Sequence, residues 1–253
     1  MNKKTKSETI IYWSPAYSAR GMYDLNHLYA EPKSVYDELL SKKAPVKDNL
    51  INFLRCPATS DLLKNTFVVR APVDSQVSFN FDTHRTKQLN NSPMYEKTHK
   101  IDFQYVHKPT LAGHNLIDYR YPIVFFSEED SMIATLTPPY FEHVSSYESG
   151  TIVPGRFDIA KWFRPMNMEF QLWPNINTLN ILAGEAICYL HFDTDKKIIL
   201  KRFVTNNEIE KLIGSFVNVS PFKKLARLSD RYKMFEQSRS KQRVLKLIQK
   251  QLI

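Results

Sequence analysis

Glycine is scarce in this sequence, with six in 253 residues. That leaves little material for backbone cradles around a phosphate. None of the patterns Gly-x-x-x-x-Gly-Lys-Ser/Thr, Gly-x-Gly-x-x-Gly, Gly-x-Ser-x-Gly or His-Glu-x-x-His occurs. Cysteine is scarcer still. Cys56 and Cys188 lie far apart, with no Cys-x-x-Cys or Cys/His spacing, which excludes a disulfide framework and a zinc knuckle and fits a reducing compartment. Long apolar runs are missing: the longest clean one in mid-chain is "IVFF" at 123–126, against the roughly 18 residues of a membrane span. The N-terminal lysines are followed by an apolar run only from Ile10 to Trp13 before Ser14 and Pro15, too short for a secretory core. A soluble chain made in the cytoplasm, without a membrane span, is the expectation.

What is present suits a folded, sheet-rich body. Hydrophobic residues make up 43%, charged residues 24% and aromatics 13%, enough for a proper core and weighted toward strand packing. The formal net charge of +9 is unevenly placed. From Pro221 to Ile253 ten Lys or Arg stand against Asp230 and Glu236, so this tail carries +8 and the rest about +1. A nearly neutral body with a basic end suggests a local docking surface for an acidic partner, a phosphate backbone or a membrane face, where a wholly basic chain would suggest a general nucleic-acid binder. The contact residues it nominates are Lys223, Lys224, Arg227, Arg231, Arg239, Lys241, Arg243 and Lys246. The plainer alternative is a solvated helix whose cations serve solubility.

Periodicity divides the chain in three. Residues 1–65 read as an arm with short helices: Ser34 caps a helix with Val35 and Leu39 on one face, Cys56-Pro57 opens another that ends at Asn65, and "IIYWSPAYSARGMYDLNHLY" reads as an irregular aromatic segment lying across the main domain. Residues 66–203 switch to a period of two. Val77, Phe79 and Phe81 alternate with polar neighbours, as do Ile101, Phe103 and Tyr105, and Met168, Phe170 and Leu172. "YPIVFFSEEDSMIATLTPP" reads as strand, acidic turn at Glu128–Ser131, and strand. "EAICYLHFDTDKKIILKRF" reads as a strand over 186–192, a turn over 193–197, and a return strand from Ile198. Seven or more short strands without helical spacers predict a mainly β chain, an antiparallel sandwich or jelly roll.

Residues 204–253 turn helical. Thr205 and Glu208 fit a capping box ahead of Ile209, Leu212, Ile213 and Phe216. Ser220-Pro221 opens a second helix with Leu225, Leu228, Tyr232 and Phe235 in one stripe, and a third carries Val244, Leu247, Ile248 and Leu252. Because the tail's aromatics fall on the apolar stripe, base stacking is not expected, while a phosphate-backbone contact through the lysines is open.

One pair invites a catalytic reading. His191-x-Asp193 supplies two thirds of the ligand set of a non-haem iron site. The remaining ligand would follow on a later strand, but no histidine follows His191; His84, His99, His107, His114 and His143 all precede it. A cupin-type centre would need a His-x-His, which is absent. Turn and face roles explain His191 and Asp193, and Glu128, Glu129 and Asp130 sit in a turn where acids are expected for solvation alone. No catalytic residue, metal, cofactor or small molecule is assigned on this reading.

The stretches "LRCPATSDLLKNTFVVRAPVD" (54–74), "FRPMNMEFQLWP" (163–174) and "LAGEAICYLHFDTDKKIILKRF" (182–203) resemble uncharacterised proteins of large tailed phages. The likeness spans roughly residues 54–203, and its motifs transfer no functional residue. It implies a phage protein located in the host cytoplasm or the virion. Gly184 is expected to supply turn geometry, with Glu185 pairing to Arg164 across neighbouring strands. The expected function is non-enzymatic, through contacts with a protein partner or a second copy of the chain. A jelly-roll metal-dependent oxygenase or isomerase, its centre drawn from His99, His107, His114, His143 or His191, is the alternative. A nucleic-acid-binding accessory protein is the third reading.

Overall fold

The computed structural model describes residues 8–16, 19–20, 23–24, 28–41, 53–80, 85–88, 102–107, 115–161, 163–217, 228–238 and 240–253. Numbered in chain order, the strands of the described residues form five sheets. A three-stranded sheet runs β10 (Ile123–Ser127), β1 (Glu8–Pro15), β17 (Lys197–Arg202). A five-stranded sheet runs β13 (Gly155–Asp158), β11 (Ile133–Thr137), β16 (Ala186–Phe192), β5 (Thr66–Arg70), β4 (Lys33–Ser34). A four-stranded sheet runs β12 (Gly150–Ile152), β14 (Met166–Leu172), β9 (Asn115–Tyr121), β8 (Asp102–His107). The remaining two are β15 (Thr178–Ile181), β6 (Ser75–Asn80), β7 (Arg85–Gln88), and the short pair β2 (Ala19–Arg20), β3 (Tyr23–Asp24). Helices α1 (Val35–Ser41) and α2 (Pro57–Leu63) precede β5, and α3 (Asn207–Val217), α4 (Leu228–Gln237) and α5 (Ser240–Gln249) end the chain. The chain is thus mainly β, with several antiparallel sheets and a few C-terminal helices.

The first correction concerns the aromatic N-terminal segment. Its first half is not irregular: Glu8–Pro15 is the middle strand of the three-stranded sheet, antiparallel to β10 and parallel to β17. Alternate residues serve two cores. Ile11 and Trp13, with Ile123 and Phe125 of β10, enter the main core. Tyr12, with Val124 and Phe126, packs on the other face against Ile209, Ile213, Val244 and Ile248 of the C-terminal helices. A strand buried on both faces reads as an unbroken apolar run, so the alternation that marks half-buried strands is erased.

The second correction concerns partners. The turns at 128–131 and 193–197 are where expected, yet neither joins a hairpin. β10 pairs with β1 while β11 pairs with β13 and β16; β16 pairs with β11 and β5 while β17 pairs with β1. Both turns therefore carry the chain from one sheet to another. Side chains fasten these crossings. Glu129 Oε1 accepts from Thr9 Oγ1 at 2.7 Å and from Lys196 Nζ at 2.6 Å. Asn65, in the left-handed region at φ 57°, donates through Nδ2 to the carbonyls of Thr194 and Lys196, each at 2.8 Å.

Where one face is buried and the other wet, the period-two reading holds. Met166, Met168, Phe170 and Leu172 of β14 are buried and Asn167 and Glu169 exposed; Val77 and Phe79 of β6 are buried and Gln76 and Asn80 exposed. Side chains of this size each contribute about 1.5–3 kcal/mol on burial. Phe81 and Ile101 lie outside the described residues, as do the side chains of β8. Gly184, at φ 80°, makes the turn into β16 as expected. Glu185 does not pair with Arg164: its carboxylate accepts from Ser145 N, Ser145 Oγ and Leu182 N at 2.8–3.2 Å. Backbone amides at the turn satisfy the carboxylate instead.

The helices follow their predicted stripes with one change of cap. Asn206 Oδ1, not Thr205, accepts from Glu208 N at 3.1 Å and Ile209 N at 2.9 Å. Thr205 Oγ1 is buried without a hydrogen-bond partner among the described residues. Ile209, Ile213, Phe235, Val244, Leu247 and Ile248 are buried as expected. Leu252 stays 38% exposed and makes an antiparallel bridge with Phe203, so the chain end fastens to the strand exit of β17 through Val204 N–Gln251 O and Ile253 N–Arg202 O. Ser220, Pro221 and Leu225 lie outside the described residues. At the front, Ser34 Oγ accepts from Asp37 N at 3.2 Å, and Cys56-Pro57 opens α2. Cys56 is exposed, whereas Cys188 is buried and its thiol pKa is pushed up by that burial.

Candidate functional site

β16 presents Leu190 and Phe192 to the main core, so His191 between them points to the opposite side. There it stands across from Thr66 in the β16–β5 register. Thr66 Oγ1 donates to the Leu62 carbonyl at the end of α2, at 2.8 Å. Its only hydrogen is then committed, so it accepts the 3.0 Å hydrogen bond from His191 Nδ1–H. Partial burial lowers the His191 pKa, with the charge of Asp193 opposing the shift. Its Nδ1 thus helps to join β16, β5 and α2.

Asp193 lies one residue past the end of β16. Its backbone N–H donates to Ile133 O at 2.9 Å, and its Oδ2 accepts from the Arg156 guanidinium at 3.0 Å on the surface. His191 and Asp193 line one cleft of about 470 Å³ with Asp61, Lys64, Thr194 and Asp195. Within it Lys64 Nζ meets Asp195 Oδ1 at 3.1 Å. The two thus lie at the same cleft, and each has a structural partner. Among the described residues no three His, Cys, Asp or Glu side chains come together to hold a metal ion. His143 is exposed on the loop after β11. His84, His99 and His114 lie outside the described residues, as does the side chain of His107.

The basic tail is reached in part. Lys223, Lys224, Arg227 and Arg239 lie outside the described residues, and of Arg231 only the backbone is described. Lys241 is half-buried, its Nζ donating to the Glu129 carbonyl, which makes it a fastener between α5 and the first crossing turn. Arg243 and Lys246 are exposed on α5, with Arg243 3.8 Å from Glu208. Lys250, exposed just past the helix, joins them.

Sequence reasoning missed two groupings. Asp118 of β9 and Glu169 of β14 stand directly opposite each other and, with Asn167, Leu136, Gly155 and Phe157, line a second cleft of about 300 Å³. Each is an ordinary polar position of its own strand, and only the pairing register brings them together. Arg70 is the second. Its guanidinium takes Glu142 in a bidentate pair at 2.8 and 3.1 Å, with Glu38 and the Gly184 carbonyl completing the set. These bonds outweigh burial and raise its pKa. Because Glu38 sits on α1 and Arg70 on β5, this cluster clamps α1 to the five-stranded sheet.

No helix among the described residues is long and apolar enough to cross a membrane. No family model, curated protein or solved structure matches this chain.

Proposed function

We propose that this chain is a non-enzymatic protein of phage origin, built on a β-sandwich or jelly-roll-like body, that acts through contacts with a protein partner or a second copy of itself. Its setting on this reading is the virion, assembly, or a host target, with the protein present in the host cytoplasm. The observation that carries the non-catalytic part is the use made of His191 and Asp193. The first is tied to Thr66 and the second to Arg156, so the residues best placed by sequence for chemistry serve to join strands. The phage origin rests on the likeness of residues 54–203 to phage proteins. Mass spectrometry of purified particles of the encoding phage tests the role: stoichiometric recovery of the chain supports a virion component. Absence from particles, together with no co-purifying assembly intermediate or host protein, rejects the contact role.

The second reading, a jelly-roll metal-dependent oxygenase or isomerase, draws on the shared cleft of His191 and Asp193. Metal content of protein purified without chelators separates it from the first.

A further inference from the structure

Helix α5 is immobilised on its inner side. Val244, Leu247 and Ile248 are buried against the three-stranded sheet, Lys241 is fastened to Glu129, and the residues after the helix pair with Arg202–Val204. At about 100° per residue, Gln242, Arg243 and Lys246 then occupy one outer arc of about 100°, and Lys250 is the first residue past the helix end. All four are exposed. Arg243 to Lys250 covers about 10 Å along the axis. Among the described residues Lys246 and Lys250 form no ion pair with a carboxylate, and Arg243 stands 3.8 Å from Glu208.

The composition of this arc discriminates between partners. Protein interfaces have an apolar centre from which charged residues are depleted. Nucleic-acid interfaces are polar and strongly positive, and most of their hydrogen bonds go to phosphate and sugar. Three cations and an amide, with no apolar or aromatic side chain among them, match the second description. The aromatic Phe235 of the neighbouring helix is buried, and none of these four side chains is aromatic, so the arc itself offers no stacking platform. We infer that the outer face of α5, through Arg243, Lys246 and Lys250, is a binding surface for the phosphate backbone of duplex nucleic acid, indifferent to sequence. This goes beyond the protein contacts proposed above and stands or falls separately from them.

Fluorescence anisotropy of the full chain with two unrelated duplexes of about 20 base pairs tests it, with salt varied between about 50 and 200 mM. Both duplexes should bind equally, with a slope of log K against log salt of about −2.7 or steeper, from three neutralised phosphates. In K246Q/K250Q the slope should flatten by about 1.8 and affinity at about 50 mM salt should fall tenfold or more. The exposed pair Lys33 and Arg55 supplies the charge control, K33Q/R55Q, which should change affinity less than about twofold. Circular dichroism of each variant checks that the fold is kept, which the exposure of all four positions favours. Three results would overturn the inference: equal losses in both variants, which would mean net charge alone; no change in K246Q/K250Q; or binding of an acidic Glu/Leu peptide but not of either duplex.

Discussion

The carboxylate of Glu129 meets the ammonium of Lys196 at 2.6 Å, across a sequence separation that brings together the two turns by which the chain changes sheets. Thr9 of β1 adds a hydroxyl at 2.7 Å, and the Glu129 carbonyl receives Lys241 of α5. One residue of an acidic turn thus links the first strand, both crossings and the last helix. Its carboxyl is held below the usual carboxylate range, chiefly by the hydrogen bonds from Lys196 and Thr9.

Replacing Glu129 with Gln is expected to cost up to about 1.5–3 kcal/mol at neutral pH, the range for hydrogen bonds to a charged group. Since the folded-state pKa is depressed, the contribution is present above the unfolded carboxylate pKa of about 4.3 and lost as pH falls through the folded value. Thermal melts from neutral to acid pH should show a shallower acid loss in E129Q than in the parent. Parallel curves would mean that the pair does not couple to folding.

Asn65 combines a left-handed backbone with two side-chain bonds to the 194–196 turn. Gly at this position relieves the backbone but drops both bonds, while Ala drops the bonds and adds strain of about 1–2 kcal/mol. Urea unfolding should therefore rank the parent above N65G and N65G above N65A. An N65A protein as stable as the parent would show that neither feature matters.

Gly150 sits where β12 touches β14: an added Cβ would lie 2.2 Å from the Gln171 carbonyl oxygen, a backbone atom that cannot rotate away. G150A should lose about 1–3 kcal/mol or more, in the range of overpacking, with amide exchange rising first along Gly150–Ile152. Unchanged protection there would refute the close approach.

His191 is lowered in pKa by burial, so its imidazole should titrate below about 6.5. Its contribution to stability is present above that value and lost as pH falls and the ring must charge. T66V removes the hydroxyl between His191 and Leu62 and should cost about 1–3 kcal/mol. Nuclear magnetic resonance titration of the His191 ring, in the parent and in T66V, reads the direction; a ring titrating above 7 would contradict the packing described.

Legibility in the sequence tracked exposure. Strands with one wet face, such as β6 and β14, announced themselves by alternation, and the helical stripe of Val244, Leu247 and Ile248 was visible because its other face is charged. Glu8–Pro15 was not visible as a strand because Ile11 and Trp13 serve one core while Tyr12 serves another. The return strand expected after Asp193–Lys197 does not pair back onto β16, because such a turn advertises a reversal and nothing local says which strand comes next to which. The same limit hid Asp118 opposite Glu169 and the clamp on Arg70. At the candidate site, the i, i+2 spacing of His191 and Asp193, the one on β16 and the other just past its end, places both on one side. Their fastening to Thr66 and Arg156 required the sheet.

The most direct measurement is the metal content of protein purified without chelators, in the parent and in H191A. With His191 and Asp193 serving as fasteners, neither preparation should hold a stoichiometric transition metal, and the two should be indistinguishable. About one iron or other first-row metal per chain in the parent, lost in H191A, would contradict the reading and restore the catalytic one.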